Sequence, residues 1–289
     1  MTCKTFNMLN VRNLTTDELE KIDPVLMAAY SRTSSFKSQL QRHLALQPDG
    51  WLVAESNGTL VGVVGAVDYG GFAYVGLMGV HPAFQRRGIG TVLMERLLAW
   101  LNEHSCCEVA LDATPSGAPL YARHGFVEVE KSLVFHQQNT FAKHPGSSEP
   151  ISVLRSSDLA LLAAFDKSLF GADRRTVFAT LLSELPNRAF AARNQAGQIV
   201  GYLFAQLQNL GPWAASTPEV AEALLLTVLP LSFDGTPRVL VPGSNPIAKT
   251  LLLRYGFKQQ RTLSHMRRGG SARSGSRALI YGMTNFALG

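Results

Sequence analysis

Disulfide chemistry has almost nothing to work with in this chain. Of 289 residues only Cys3, Cys106 and Cys107 are cysteines. An odd count with two adjacent members is neither a disulfide framework nor a set with zinc-ligand spacing. A reducing, cytoplasmic setting without a metal is therefore expected, with buried packing as the plainer role for the thiols. No apolar stretch approaches the ~20 residues that a membrane span needs, so no membrane association is expected. Met1 to Asn7 has no charged region followed by an apolar core and reads as no secretory signal. Charged residues are sparse, at 17% against 46% hydrophobic, which suits a globular protein with a substantial core.

The length exceeds the ~100–200 residues of a usual domain, so two domains are expected. Net charge is +6. Part of the excess falls between Arg267 and Arg277, where glycine and serine separate the arginines. With no aromatic interleaving, this stretch reads as a solvated loop rather than a nucleic-acid surface. Excess positive charge also suits the steering of a polyanionic ligand.

The most informative stretch is Gln85-Arg86-Arg87-Gly88-Ile89-Gly90. An apolar, glycine-dotted run (Ala73 to Val80) precedes it and an amphipathic run (Thr91 to Leu101) follows. Strand, glycine loop and helix together build a nest of unpaired backbone N–H groups at a helix N-terminus, a site for a pyrophosphate. Gly88 and Gly90 permit close backbone approach and positive φ. The spacing is neither the G-x-G-x-x-G of dinucleotide folds nor the G-x-x-x-x-G-K-[ST] of P-loops.

Q-x-x-G-x-G after a strand ending Val80-His81-Pro82 resembles the coenzyme A loop of the GNAT superfamily of N-acetyltransferases. Strand Glu108 to Ala113 and then Leu120-Tyr121-Ala122-Arg123-His124-Gly125-Phe126 resemble the segment that closes a GNAT domain. The resemblance covers roughly residues 5–135. It implies an α/β fold with a twisted mixed sheet flanked by helices, acetyl-CoA as co-substrate, and a small-molecule amine as acceptor. Direct attack in a ternary complex is the implied route. A non-catalytic acyl-CoA sensor or scaffold is the alternative.

Within that resemblance, Met78, Gly79 and Val80 hold the strand positions whose backbone pairs with the pantetheine arm and supplies an oxyanion donor. Gln85, Arg86, Arg87, Gly88, Ile89, Gly90 and Thr91 hold the pyrophosphate loop. Tyr121 holds the place of the acid that protonates the leaving thiolate, although a core aromatic with a wet hydroxyl fits the same pattern. Thr114 and Gly117 depart from the usual Asn and Ala. The strand lacks the glutamate that many relatives use as base. Asp68, acting through water, is the substitute named here, with a turn cap on Gly70-Gly71 as its plainer role. His81 reads as a shaper of the loop, and Asp112 as facing the groove or ending its strand. Tyr30, Arg32, Phe36, Trp51 and Tyr69 are acceptor-side candidates, each equally explained by packing.

Local signals order the first half as strand (Phe6 to Arg12), a capping box at Thr15–Glu18, a helix that Pro24 breaks or kinks, a second helix near Phe36 to Leu46, and strands Trp51 to Ser56, Leu60 to Asp68 and Ala73 to Val80. Final strands over Phe126 to Phe135 complete it. A polar, breaker-rich linker at 138–150 separates residues 1–137 from 151–289.

The second half repeats the first. Leu154 to Asp158 echoes Val11 to Asp17, Gly197 to Gly201 echoes Gly58 to Gly62, and Arg254-Tyr255-Gly256-Phe257 echoes Arg123-His124-Gly125-Phe126. Gly62 to Phe126 spans 64 positions, Gly201 to Phe257 only 56, and the glycine loop is missing from the shorter stretch. Leu252 stands where Tyr121 stands in the first copy. The pattern resembles tandem GNAT proteins whose second domain is degenerate and has lost its cofactor loop.

Overall fold

The computed structural model describes residues 9–138, 150–270 and 275–289. The first half runs β1 (Leu9–Asn13), α1 (Leu19–Ala29), α2 (Lys37–Leu46), β2 (Trp51–Ser56), β3 (Thr59–Asp68), β4 (Ala73–Val80), α3 (Ile89–Glu103), β5 (Val109–Ala113), α4 (Ala118–Arg123) and β6 (Val127–Gln137). The second runs β7 (Ile151–Val153), α5 (Leu159–Phe170), α6 (Arg175–Glu184), β8 (Ala189–Arg193), β9 (Ile199–Ala205), β10 (Leu210–Ala215), α7 (Pro218–Val228), β11 (Arg238–Pro242), α8 (Pro246–Arg254), β12 (Phe257–Arg268) and β13 (Ile280–Gly282). None of the described helices is long and apolar enough to cross a membrane.

Local signals explain most elements. Thr15 and Glu18 form the capping box, and Glu18 also takes a bidentate pair from Arg12. Asn57-Gly58, both at positive φ, turn the β2–β3 hairpin. Pro24 does not end α1. It forfeits one backbone bond, and the buried Leu19, Ile22, Val25 and Leu26 hold the helix against the sheet instead.

The two halves are not self-contained. The large sheet has the order β1-β2-β3-β4-β5-β12-β6-β11, and the smaller one β13-β10-β9-β8-β7. β5 pairs not with β6 but with β12, Ser264 opposite Ala113 and Arg268 opposite Val109. In return β6 pairs with β11, Ser132 opposite Pro242 and His136 opposite Arg238. Each copy has given its last long strand to the other, so the expected completion of the first sheet by its own final strand is replaced by an exchange. One apolar cluster accordingly spans both copies, from Trp51 and Tyr74 through Phe178 and Tyr202 to Met283 and Leu288.

The second copy closes over itself where the first stays open. β13 pairs antiparallel with β10, Trp213 opposite Gly282, and Met283 N–H donates to Leu240 of β11 at 2.8 Å. It thus fills the space between β10 and β11. The chain then runs on through Thr284 to Gly289 against a buried network. Arg174 makes a bidentate pair with Asp166, donates to the Thr284 hydroxyl at 3.0 Å, and lies 3.7 Å from the Phe170 ring centre.

Candidate active site

In the first copy the matching gap is open. β4 and β5 run parallel and pair only at Ala73–Val109 and Tyr74–Ala110. Beyond that point β4 bulges: Leu77 and Met78 lie between Gly76 and Gly79, while on β3 only Val64 separates their partners. Leu77 takes φ +51°, a left-handed value that an L residue adopts only under constraint. The bulge resets the alternation so that the amides of Met78 and Val80 turn from β3 toward the gap. Two side chains mark this edge. Tyr30 hydroxyl donates to Met78 O at 3.1 Å, and Gln85 Nε2 donates to Val80 O at 2.9 Å.

The glycine loop lies at one end of the gap. Arg86 and Gly88 take φ +59° and +81°, and Gly88 is the N-cap of the fifteen-residue α3. The first helical bond runs from Val92 N–H to Gly88 O, which leaves the amides of Ile89, Gly90 and Thr91 outside the helix ladder. A β-carbon on Gly88 would meet nothing within 4 Å, so the space beside the loop is open. Arg87 bonds Ala83 O at 2.9 Å and lies 5.3 Å from the Phe84 ring centre. His81 Nδ1 accepts from Ala83 N–H, so it shapes the turn. Left-handed residues, free amides and the end of a helix dipole together fit a pyrophosphate.

Tyr121 lies on α4 with its ring edge-on to Phe126 and only 8% of its surface exposed. Its hydroxyl makes no hydrogen bond among the described residues. Burial, reinforced by nearby Tyr30, pushes its pKa well above the ordinary tyrosine value, so it stays protonated. Burial likewise raises Tyr30, against a small opposing influence of Arg261. Tyr30 is 39% exposed overall, but its hydroxyl end is tied to the β4 edge.

The other expected residues separate. Asp68 ends β3 opposite Ala73, five residues before Met78, or about 17 Å along a strand. Its carboxylate accepts from Gly70 N–H at 2.8 Å and caps the turn. Tyr69 donates to Leu288 O at 2.9 Å and packs edge-on to Phe170, in the contact between the copies. Trp51 is fully buried, stacked on His43. The Asp112 side chain is also buried. It accepts from Tyr74, from Ser132 at 2.6 Å and from His265 Nδ1 at 3.3 Å. Burial pushes its pKa up, but the bond and charge of His265 outweigh this, and Asp112 stays below its ordinary value. Cys106 is buried and Cys107 exposed. Arg267 and Arg277 form ion pairs with Glu108 and Glu130, so the basic stretch is partly neutralised.

Of the acceptor-side candidates, Tyr30, Arg32 and Phe36 come together, but sequence reasoning missed Arg238 and Arg261 across from them. Phe36 packs 5.5 Å from the Tyr30 ring and carries the Arg32 guanidinium 5.0 Å from its ring centre. Across the cleft, Arg238 of β11 and Arg261 of β12 lie 5.7 and 5.1 Å from the Phe286 ring centre. The strand exchange places them there, and no local pattern announced it.

Comparison with known proteins agrees with the fold. The acetyltransferase (GNAT) family matches residues 10–126, and a second acetyltransferase (GNAT) domain family matches residues 162–282. An uncharacterized N-acetyltransferase, YitH of Bacillus subtilis, is 28% identical over 70% of this chain and 71% of its own length. An acetyltransferase of Pectobacterium atrosepticum is 43% identical over 25% of this chain, a match that spans only 51% of that protein. A putative acetyltransferase from Pyrococcus horikoshii superposes with a TM-score of 0.87 at 26% identity, over 100% of this chain and 99% of its own. A GCN5-related N-acetyltransferase from Sphaerobacter thermophilus shares the fold, with a TM-score of 0.69 at 16% identity over 93% of this chain and 98% of its own. The chain belongs to the GNAT acetyltransferase family and is an acyltransferase built from two GNAT domains in tandem.

Proposed function

We propose that the first copy transfers an acetyl group from acetyl-CoA to the amine of a small molecule, by direct attack with both substrates bound. The observation that carries this reading is the divergence of β4 from β5 between the glycine loop and Tyr121. Acetyl-CoA, when bound, supplies the acyl group as an activated thioester. Gln85 to Thr91 hold its pyrophosphate through backbone amides. Met78, Gly79 and Val80 present strand backbone to the pantetheine arm, and an amide at the bulge faces the developing oxyanion. Tyr121 keeps its proton for the leaving thiolate. Burial that raises the tyrosine raises a thiol in the same place, so the two remain matched. Asp68 acts as a turn residue in this reading.

The amine gives its first proton to solvent before attack, and the proton that nitrogen sheds as the amide forms returns through solvent to Tyr121, which has given its own to the thiolate. Arg32, Arg238 and Arg261 make the acceptor side positive, and a positive field disfavours an ammonium. The second copy holds no coenzyme A, since β13 occupies its gap and Leu252 replaces the tyrosine.

The test is release of free thiol from acetyl-CoA over a panel of amine classes. Acetylation of at least one small amine, with saturation in both substrates, is expected. Coenzyme A binding without turnover against any class would instead mark an acyl-CoA sensor.

A further inference from the structure

The guanidiniums of Arg32 and Arg238 line one cleft, and that of Arg261 lies close to both. The cleft, about 320 Å³ in volume, is lined by Arg32, Ser34, His136, Gln208, Asp234 and Arg238, so one carboxylate stands among its cations. Asp234 accepts from Gln208 at 2.9 Å. Arg32, Arg238 and Arg261 form no ion pair among the described residues. Arg32 instead donates to the Ser34 hydroxyl at 2.8 Å. Arg238 stands opposite His136 in the β11–β6 ladder, and antiparallel partners project to the same face. Aromatic rings back all three arginines, Phe36 behind one and Phe286 behind the other two. Such backing fixes the planes of the forks and leaves their N–H edges for an oxyanion.

We propose that Arg32, Arg238 and Arg261 form the acceptor's anion site, and that the acceptor is a small amine carrying a carboxylate or phosphate group. The assignment rests on the acetyltransferase reading above and adds the substrate class to it. The route is continuous. From Met78 on β4 it passes through Tyr30 to Phe36 and so to Arg32, which sets the anion site apart from the glycine loop at the other end of the gap. The arginines of the cluster repel one another. Burial and the charges of Arg32 and Arg261 bring Arg238 down to about 10, and burial with Arg238 and Arg261 lowers His136. An anion relieves that repulsion, whereas a neutral amine does not.

The experiment uses the full chain and amine pairs that differ by one anionic group. An α-amino acid is paired with its amide, and an amino sugar phosphate with the unphosphorylated amino sugar. The anionic member of at least one pair is expected to have kcat/KM about 10-fold or more above its partner, the scale of a charge-assisted contact. Which pair responds separates carboxylate from phosphate. Arg238→Gln and Arg261→Gln are expected to erase that preference through the acceptor's KM, with KM for acetyl-CoA unchanged. Equal rates within both pairs would overturn the assignment. So would a rise in acetyl-CoA KM alone, which would give the arginines to the cofactor. If no amine is acetylated, calorimetry of the same pairs on coenzyme A-saturated protein decides the point. Selective binding of an anionic member upholds the anion site while the transferase reading fails, and absence of selectivity overturns it.

Discussion

Ala287 lies directly against Gly76, so close that a β-carbon built on Gly76 would sit 2.1 Å from the Ala287 β-carbon and 2.4 Å from its α-carbon. The contact joins the end of the second copy to β4 of the first, one residue before the bulge at Leu77. Glycine at position 76 is therefore required by space, since its φ is not in the left-handed region. Gly76→Ala should destabilise the fold by about 1–3 kcal/mol, the usual cost of overpacking. Ala287→Gly should restore only part of the loss, because the main chain of residue 287 still obstructs the new methyl. Urea denaturation of the two single variants and the double variant measures this. Full additivity would mean that the contact does not couple the copies.

Gly88→Glu should raise KM for acetyl-CoA more than 10-fold while leaving the circular dichroism spectrum intact. The site is sterically open, so the fold loses only the cost of left-handed backbone, roughly 1–2 kcal/mol. The carboxylate at the end of α3 then repels the pyrophosphate. Gly88→Asn, neutral and tolerant of that backbone, should keep most of the affinity. Equal loss in both variants would mean that backbone conformation, and not charge, governs the loop.

Tyr121→Phe should lower kcat by about 10²-fold, the low end for lost acid–base catalysis, with KM for acetyl-CoA little changed. Because burial holds the phenol neutral far above neutrality, no alkaline fall in rate should arise from Tyr121 itself. Wild-type kcat in the variant, with chemistry shown to limit the rate, removes Tyr121 from the mechanism.

His43 gives the fold an acid-sensitive point. It is fully buried against Trp51, at 4.8 Å between ring centres, and burial, with Arg42 adding, lowers its pKa to about 3 from 6.5. Between those two values the unfolded chain binds a proton that the folded chain refuses, so stability falls as pH drops through that window. The histidine accounts for about 2 kcal/mol of loss between pH 7 and pH 5. His43→Phe keeps a ring on Trp51 and removes the titration. The pH 7 to pH 5 difference in unfolding free energy should shrink by about that amount. An unchanged difference would assign the acid sensitivity to other groups.

Legibility in the sequence followed the range of the interactions. The glycine loop and Tyr121 were readable because strand, turn, helix and Gly-Phe signals are local, and the duplication because its landmarks repeat. The partner of β5 was not. β6 and β12 are repeats of one another, each following a Gly-Phe landmark, and nothing within either strand distinguishes the two pairings. The arginine cluster was hidden for the same reason, since Arg238, His136 and Arg261 become neighbours only after the exchange. The sequence points to Asp68 only because β4 carries no carboxylate. The turn that it caps explains the residue without catalysis.

The exchange makes a strong prediction for the isolated first half. A fragment of residues 1–145 keeps the glycine loop, β4 and Tyr121, yet it lacks β12, which covers the whole free edge of β5 from Val109 to Ala113. It also lacks the segment around Ala287 that packs on β4. β6 could return to β5, but its Phe135 and Leu133, which pack in the core of the second copy in the intact chain, would lose that cover. An uncovered strand edge beside exposed apolar surface favours association through that edge. The fragment should therefore be poorly soluble or associated, and poorly active, while the intact chain binds one coenzyme A. Light scattering and thiol-release assays on the fragment test the first part, and calorimetric stoichiometry on the intact chain tests the second. A monomeric fragment of full activity would show that β12 is dispensable to the first site. Two cofactors per chain would show that β13 yields its place between β10 and β11.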